Sequence, residues 1–192
     1  MFQLLAATGL RRSELLALEG RHLVLDGEQP IVTVRQRVRR RKGHGLTLGP
    51  LKSRYARREV PLPLALADLL KALRSAPGAF VFSGTGGAML DPDNLWARVL
   101  QPACSEAGVE WAGFHTFRHT VASRLFAEGR NVVHVQRWLG HHSPSFTLDT
   151  YVHLLDGDVG IPLQPLQVNA GSTDCPETAA NAGTQELAES AA

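Results

Sequence analysis

The stretch Leu139-Gly140-His141-His142-Ser143-Pro144-Ser145-Phe146-Thr147-Leu148-Asp149-Thr150-Tyr151 holds two histidines, a Ser-Pro pair that starts a helix, and a tyrosine carried by that helix. Taken alone, Tyr151 reads as a packed aromatic. Two upstream segments change that reading. Thr8-Gly9-Leu10-Arg11-Arg12-Ser13-Glu14-Leu15 sets an arginine just after a helix stop. His115-Thr116-Phe117-Arg118-His119-Thr120 sets a histidine and an arginine at a spacing that shares one helix face. In-line attack on a phosphodiester builds negative charge on the non-bridging oxygens. Two guanidinium groups can clamp those oxygens through paired hydrogen bonds, and fixed cations act where charge develops. A phenol has a pKa of about 10 when free, so it needs a positive field or a base before it attacks. Attack by Tyr151 would join the broken strand to the protein and keep the bond energy for rejoining.

Working outward, the chain reads as α+β and mostly helical. Met1 to Ala7 is apolar and ends at Thr8-Gly9, and a short helix follows with Glu14, Leu15 and Leu18 at helical spacing. Leu23 to Asp26, Ile31 to Arg37 and Arg57 to Leu62 read as strands, which gives a small three-stranded antiparallel sheet. Arg39 to Pro50, rich in glycine and basic residues, reads as a loop or a long hairpin tip. Leu64 to Ser75 carries a leucine stripe. Asp91 caps a helix with Pro92 in its first turn, and Pro102 should kink or split that helix. Further helices run from Phe114 to Glu128, from Asn131 to Leu139 and onward from Ser143-Pro144, with Tyr151 near the middle of the last. From Gly160 on there is no periodicity. Residues 1–158 are therefore expected to form the folded domain and residues 159–192 a disordered tail.

Composition bounds the function less than distribution does. With 192 residues, 44% of them hydrophobic, the chain can bury a sizeable core. Its net charge of +2 does not announce a nucleic-acid binder. Yet Arg35, Arg37, Arg39, Arg40, Arg41 and Lys42 form one basic run, Arg54, Arg57 and Arg58 follow, and acidic residues gather later. Local positive charge is what a phosphate backbone attracts, although such a run is equally a solvated face. Cys104 and Cys175 share no metal spacing. With neither a signal peptide nor a long apolar span, the chain reads as cytoplasmic, with free thiols and no membrane contact.

The motifs resemble the signature of the tyrosine recombinases, also called phage-type integrases: an arginine, a lysine, a His-x-x-Arg box, a histidine or tryptophan, and a tyrosine nucleophile. Arg11 matches the first arginine. Lys52, within Leu51-Lys52-Ser53-Arg54-Tyr55-Ala56-Arg57-Arg58-Glu59-Val60-Pro61-Leu62-Pro63, matches the hairpin lysine. His115 and Arg118 match the box, His141 the penultimate histidine, and Tyr151 the nucleophile. The likeness covers about residues 1 to 156 and keeps the motif order. It implies a catalytic domain that cleaves and rejoins DNA through a 3′-phosphotyrosine, for integration or excision of a phage or mobile element. Arg11 and Arg118 would then hold the scissile phosphate, Lys52 would protonate the leaving 5′-oxygen, His115 would assist proton transfer at the tyrosine, and His141 would hydrogen-bond the phosphate. The implied partner is double-stranded DNA, engaged by a homotetramer during synapsis. No cofactor, metal or small-molecule substrate is implied.

Three other readings stay open at this point. His115 and His119 have the spacing of a zinc-hydrolase pair, but no glutamate follows His115 and no third ligand stands at a ligand spacing. A type IB topoisomerase uses similar chemistry. A decayed or truncated integrase would bind DNA without completing recombination. The resemblance gives the last one weight, because the family carries a helical DNA-clamping domain and further helices ahead of the first arginine. A truncation or a misassigned start would then leave Phe2, Leu4 and Leu5 without cover and weaken DNA binding.

Overall fold

The computed structural model describes residues 1–73 and 76–151. The first helix, α1 (Phe2–Thr8), ends where Gly9 takes a left-handed backbone, φ 64°. A Cβ at Gly9 would also lie 2.8 Å from Leu139, so both conformation and space demand glycine there. α2 (Arg12–Leu15) is a single turn. It is shorter than its apolar spacing suggests, and Leu18 is buried beyond it. Leu4 and Leu5 are fully buried, and the Phe2 ring stacks on Phe117 at 5.9 Å. The expectation that these residues lack cover is therefore wrong: the sheet and α6 (Phe114–Ala127) supply it.

The three-stranded antiparallel sheet is present. β1 (Leu23–Val24) pairs with β2 (Ile31–Val34), and β2 pairs with a strand that follows the hairpin. The expected strand from Ile31 to Arg37 breaks at Arg35. Beyond the break, β3 (Gln36–Arg41) and β4 (Gly45–Pro50) form a separate two-stranded hairpin, in register from Gln36↔Pro50 to Arg41↔Gly45. The basic segment is thus a regular ladder that turns at 42–44. β5 (Arg58–Pro61) then returns to the sheet, with Val60 opposite Val32 and Arg58 opposite Val34. Strand alternation aims Arg58 and Val60 inward together.

The rest is helical. α3 (Leu64–Ala72) covers the sheet with Leu66, Ala67 and Leu70. Asp91 caps α4 (Pro92–Leu95), accepting from the backbone N–H groups of Asp93 and Asn94. Pro102 has no N–H to give the ladder. The helix answers with a π-helical stretch over Trp96–Leu100 before α5 (Gln101–Glu106), so the expected kink is a local widening of the helix. Asn131 caps α7 (Val132–Leu139), which ends at a left-handed Gly140, and α8 (Pro144–Tyr151) follows. Any continuation of α8 past Tyr151, the tail and Cys175 lie outside the described residues. Val121, Leu125, Val135, Leu139 and Tyr151 form a second core between α6, α7 and α8. Among the described residues, no helix is long and apolar enough to cross a membrane.

Candidate functional site

Glu14 organises the site. Its carboxylate is 2% exposed, yet it meets Arg11 at 2.8 Å and Arg58 at 2.9 Å, and it accepts the Arg11 backbone N–H at 3.0 Å. Burial pushes the Glu14 carboxyl up. The guanidinium groups of Arg58 and Arg11 outweigh that and hold it below the usual carboxylate range. The charge is therefore kept because it is paired.

Arg58 carries the network to two other segments. Its Nε donates to the Trp138 carbonyl at 2.7 Å and its Nη1 to the Ala56 carbonyl at 2.9 Å. A Cβ on Gly140 would lie 3.0 Å from Arg58 and 3.1 Å from Ala56, so glycine lets the α7 end close over this arginine. Arg58, counted from sequence in the basic stretch with Arg54 and Arg57, is buried. Arg40 is likewise less free than the run implies, being paired with Asp91 at 2.8 Å.

Arg118 is buried. Its Nη1 donates to the Gly9 carbonyl at 2.8 Å, and its Nη2 donates to the Leu139 carbonyl. These carbonyls precede Arg11 and His141 by two residues each, so one side chain pins both site segments. Burial, then Arg11 and Arg58, lowers the Arg118 pKa to about 9, which leaves the guanidinium charged at neutral pH.

Arg11, Lys52 and His141 line one cleft of about 420 Å³, together with Arg37, Ser53 and Phe146. The Arg11 side chain is 34% exposed at this cleft, and its Nη2 donates to the Gly140 carbonyl at 3.3 Å. Lys52 is exposed in the turn after β4. His141 is buried, with Nδ1 2.8 Å from the Thr147 hydroxyl. Burial and the nearby Arg118, Arg11 and Arg58 lower its pKa to about 3, so the imidazole is neutral at physiological pH.

Tyr151 stands behind His141, 2% exposed, with the two rings nearly parallel and 6.3 Å apart. Burial raises its pKa, and Arg118 offsets part of the rise. The structure thus brings Arg11, Lys52 and His141 to one cleft and packs Arg118 and Tyr151 behind it. It does not bring His115, which is exposed on the first turn of α6 and does not line that cleft. His119, read from sequence as structural, is the α6 histidine that meets the Tyr151 ring, edge-on at 5.4 Å.

Sequence reasoning missed Glu14, Arg58 and Thr147 as parts of the site. Two of them carried a signal. Glu14 sits directly before the run Leu15-Leu16-Ala17-Leu18, where a carboxylate must be paired to survive burial. Arg58 shares strand parity with Val60 and Leu62. Among the described residues, no group of His, Cys, Asp and Glu could hold a metal ion.

A mostly helical domain with a small antiparallel sheet, a hairpin beside it and a tyrosine helix at its end is the fold of a tyrosine recombinase catalytic domain. The chain belongs to the phage integrase family, whose model matches residues 1–157. It is 32% identical over 158 residues to tyrosine recombinase XerD of Rhizobium meliloti, covering 81% of this chain and 47% of that protein. It is 29% identical over 178 residues to a XerC-like tyrosine recombinase of Caldanaerobacter subterraneus subsp. tengcongensis, covering 81% of this chain and 45% of that protein. The chain thus spans about half the length of the curated relatives it matches. Among solved structures, the Tn1549 transposon integrase in complex with circular intermediate DNA shares the fold. Its TM-score is 0.62 at 23% identity, over 76% of this chain and 52% of that one. The XerA recombinase matches with a TM-score of 0.59 at 24% identity, over 80% of this chain and 52% of that one.

Proposed function

We propose that this chain is the catalytic portion of a site-specific DNA recombinase, serving integration or excision of a phage or mobile element. The single observation that carries the reading is the Arg11–Glu14–Arg58 ion-pair network, with buried Arg118 close to Arg11 and Arg58. It holds Arg11 at a cleft that also contains Arg37, Lys52 and His141, with Tyr151 packed on His141. The Tyr151 oxygen would attack the scissile phosphorus, and the bond from phosphorus to the 5′-oxygen would break. Lys52 would give that oxygen a proton, while Arg11, Arg118 and the His141 ring would meet the charge on the non-bridging oxygens. His115 would receive the tyrosine proton, which requires α6 and the DNA to bring it to the nucleophile. Since Tyr151 is 2% exposed, α8 must shift before the hydroxyl reaches a duplex.

Double-stranded DNA is the partner this chemistry needs. The Tn1549 integrase and XerH structures, in complex with or bound to their DNA, support it. Exchange between two duplexes breaks four strands, and each copy offers one nucleophile, so the working unit is a homotetramer on DNA in the cytoplasm. The presence of Arg11, Lys52, His115, Arg118, His141 and Tyr151 together weighs against a decayed remnant.

The test is incubation with supercoiled plasmid in EDTA, followed by SDS and a filter that retains protein-linked DNA. The arginine wall supplies the positive charge, so an SDS-stable adduct and partial relaxation are expected in the chelator. Cleavage that leaves no adduct and needs a divalent ion would overturn the reading.

A further inference from the structure

Resting on that reading, we propose that Thr147 is a positioning residue: its hydroxyl fixes the proton of His141 on Nε2, so that this histidine can donate to the scissile phosphate. Thr147 and Tyr151 lie on α8 one turn apart, and both are buried.

The proton assignment follows from hydrogen-bond supply. A neutral imidazole has one N–H and one lone pair, and the partner of one nitrogen decides the state of the other. Among the described residues, Thr147 Oγ1 has two oxygen or nitrogen neighbours in reach: His141 Nδ1 at 2.8 Å and the Ser143 carbonyl at 3.4 Å. In the proposed arrangement its single proton goes to Nδ1, the nearer acceptor. Nδ1 then accepts, and Nε2 carries the hydrogen. The alternative relay, Nδ1–H to Oγ1 and Oγ1–H to the Ser143 carbonyl, is the reversed tautomer. A phosphate oxygen only accepts hydrogen bonds, so the reversed tautomer would present a lone pair to an anion. The ring cannot easily escape this setting. Phe146 meets it edge-on at 5.0 Å, Tyr151 lies nearly parallel at 6.3 Å, and Gln136 Nε2 donates to the His141 carbonyl at 2.6 Å.

The experiment uses the full chain labelled with 15N-histidine. Two-bond proton–nitrogen correlations show which ring nitrogen of His141 is protonated, and the His141→Gln variant identifies the signals. The parent is expected to show Nε2–H with Nδ1 accepting a hydrogen bond. Thr147→Val should remove that bond and mix the tautomers, and Thr147→Ser should restore the parent pattern. Adduct formation on supercoiled plasmid should fall about tenfold in Thr147→Val, the effect of one lost hydrogen bond, and return to within about twofold in Thr147→Ser. Should valine prevent folding, Thr147→Ala replaces it with the same expected pattern. Nδ1–H in the parent, or a valine variant with unchanged tautomer and rate, would overturn the proposal. If the parent forms no adduct at all, the recombinase reading fails, while the tautomer result still decides the role of Thr147.

Discussion

Arg118 and His115 leave the same helix one turn apart and end in opposite settings. Arg118 is buried, with two of its donors given to backbone carbonyls of two other segments. His115 is exposed and stands outside the cleft that holds Arg11, Lys52 and His141. The difference separates two kinds of site residue. One kind is built into the fold, so that its loss damages structure and chemistry together. The other is exposed and, under the proposed function, would acquire its role only when substrate arrives. Glu14, Arg58, His141 and Tyr151 fall with Arg118. Lys52 falls with His115.

The sharpest way to break this division is Glu14→Gln. It keeps the shape but leaves Arg58 buried without a counter-charge. Such a loss costs about 3 to 5 kcal/mol, visible as a large drop in the midpoint of urea unfolding. A stability loss under about 1 kcal/mol would mean that the buried network is not a structural element.

Arg118→Lys comes next. A lysine cannot reproduce a planar fork that reaches two carbonyls and a phosphate. Adduct formation should fall about a hundredfold, or about 3 kcal/mol in barrier. A variant within two- or threefold of the parent would remove Arg118 from the phosphate clamp.

The pH dependence of stability tests the buried side at intermediate size. The folded pKa of His141 is depressed to about 3 from the usual 6.5. The folded state therefore resists protonation, so this contribution is present in full above about pH 6.5 and is lost as pH falls towards about 3. By pH 5 the loss should be about 2 kcal/mol, measured as the slope of unfolding free energy against pH. His141→Gln should flatten that slope between pH 5 and 7.

The smallest effect belongs to the rim. His115→Gln should change stability by less than about 0.5 kcal/mol while still slowing adduct formation. If this exposed substitution destabilised the fold as Glu14→Gln does, the division would fail.

Much of this architecture was legible in the sequence because it rests on local rules. Asp91-Pro92, Asn131 and Gly9 mark helix ends by capping and backbone freedom, and each sits where those rules place it. The three-stranded sheet followed from alternation. The break at Arg35 and the regular β3–β4 ladder did not, since a run of arginines and glycines carries no apolar period. The site was legible as a set of residue types in order. What one chain of letters did not show was which charges go inside. Arg58 reads like its neighbour Arg57, and only pairing with Glu14 across the fold separates them. The expected exposure of Leu4 and Leu5 failed for the same reason, because their cover comes from distant strands and helices.

The central claim is that Tyr151, held behind the arginine wall, is the group that takes the DNA strand. The most direct measurement compares the parent with Tyr151→Phe, which keeps the ring in its core and removes only the hydroxyl. Both are incubated with supercoiled plasmid, trapped with SDS and digested with nuclease, and the peptide carrying the residual nucleotide is located by mass spectrometry. The account predicts a nucleotide on Tyr151 in the parent and no adduct in Tyr151→Phe, with DNA binding unchanged in a gel shift. A nucleotide on another residue, or an SDS-stable adduct formed by Tyr151→Phe, would contradict it.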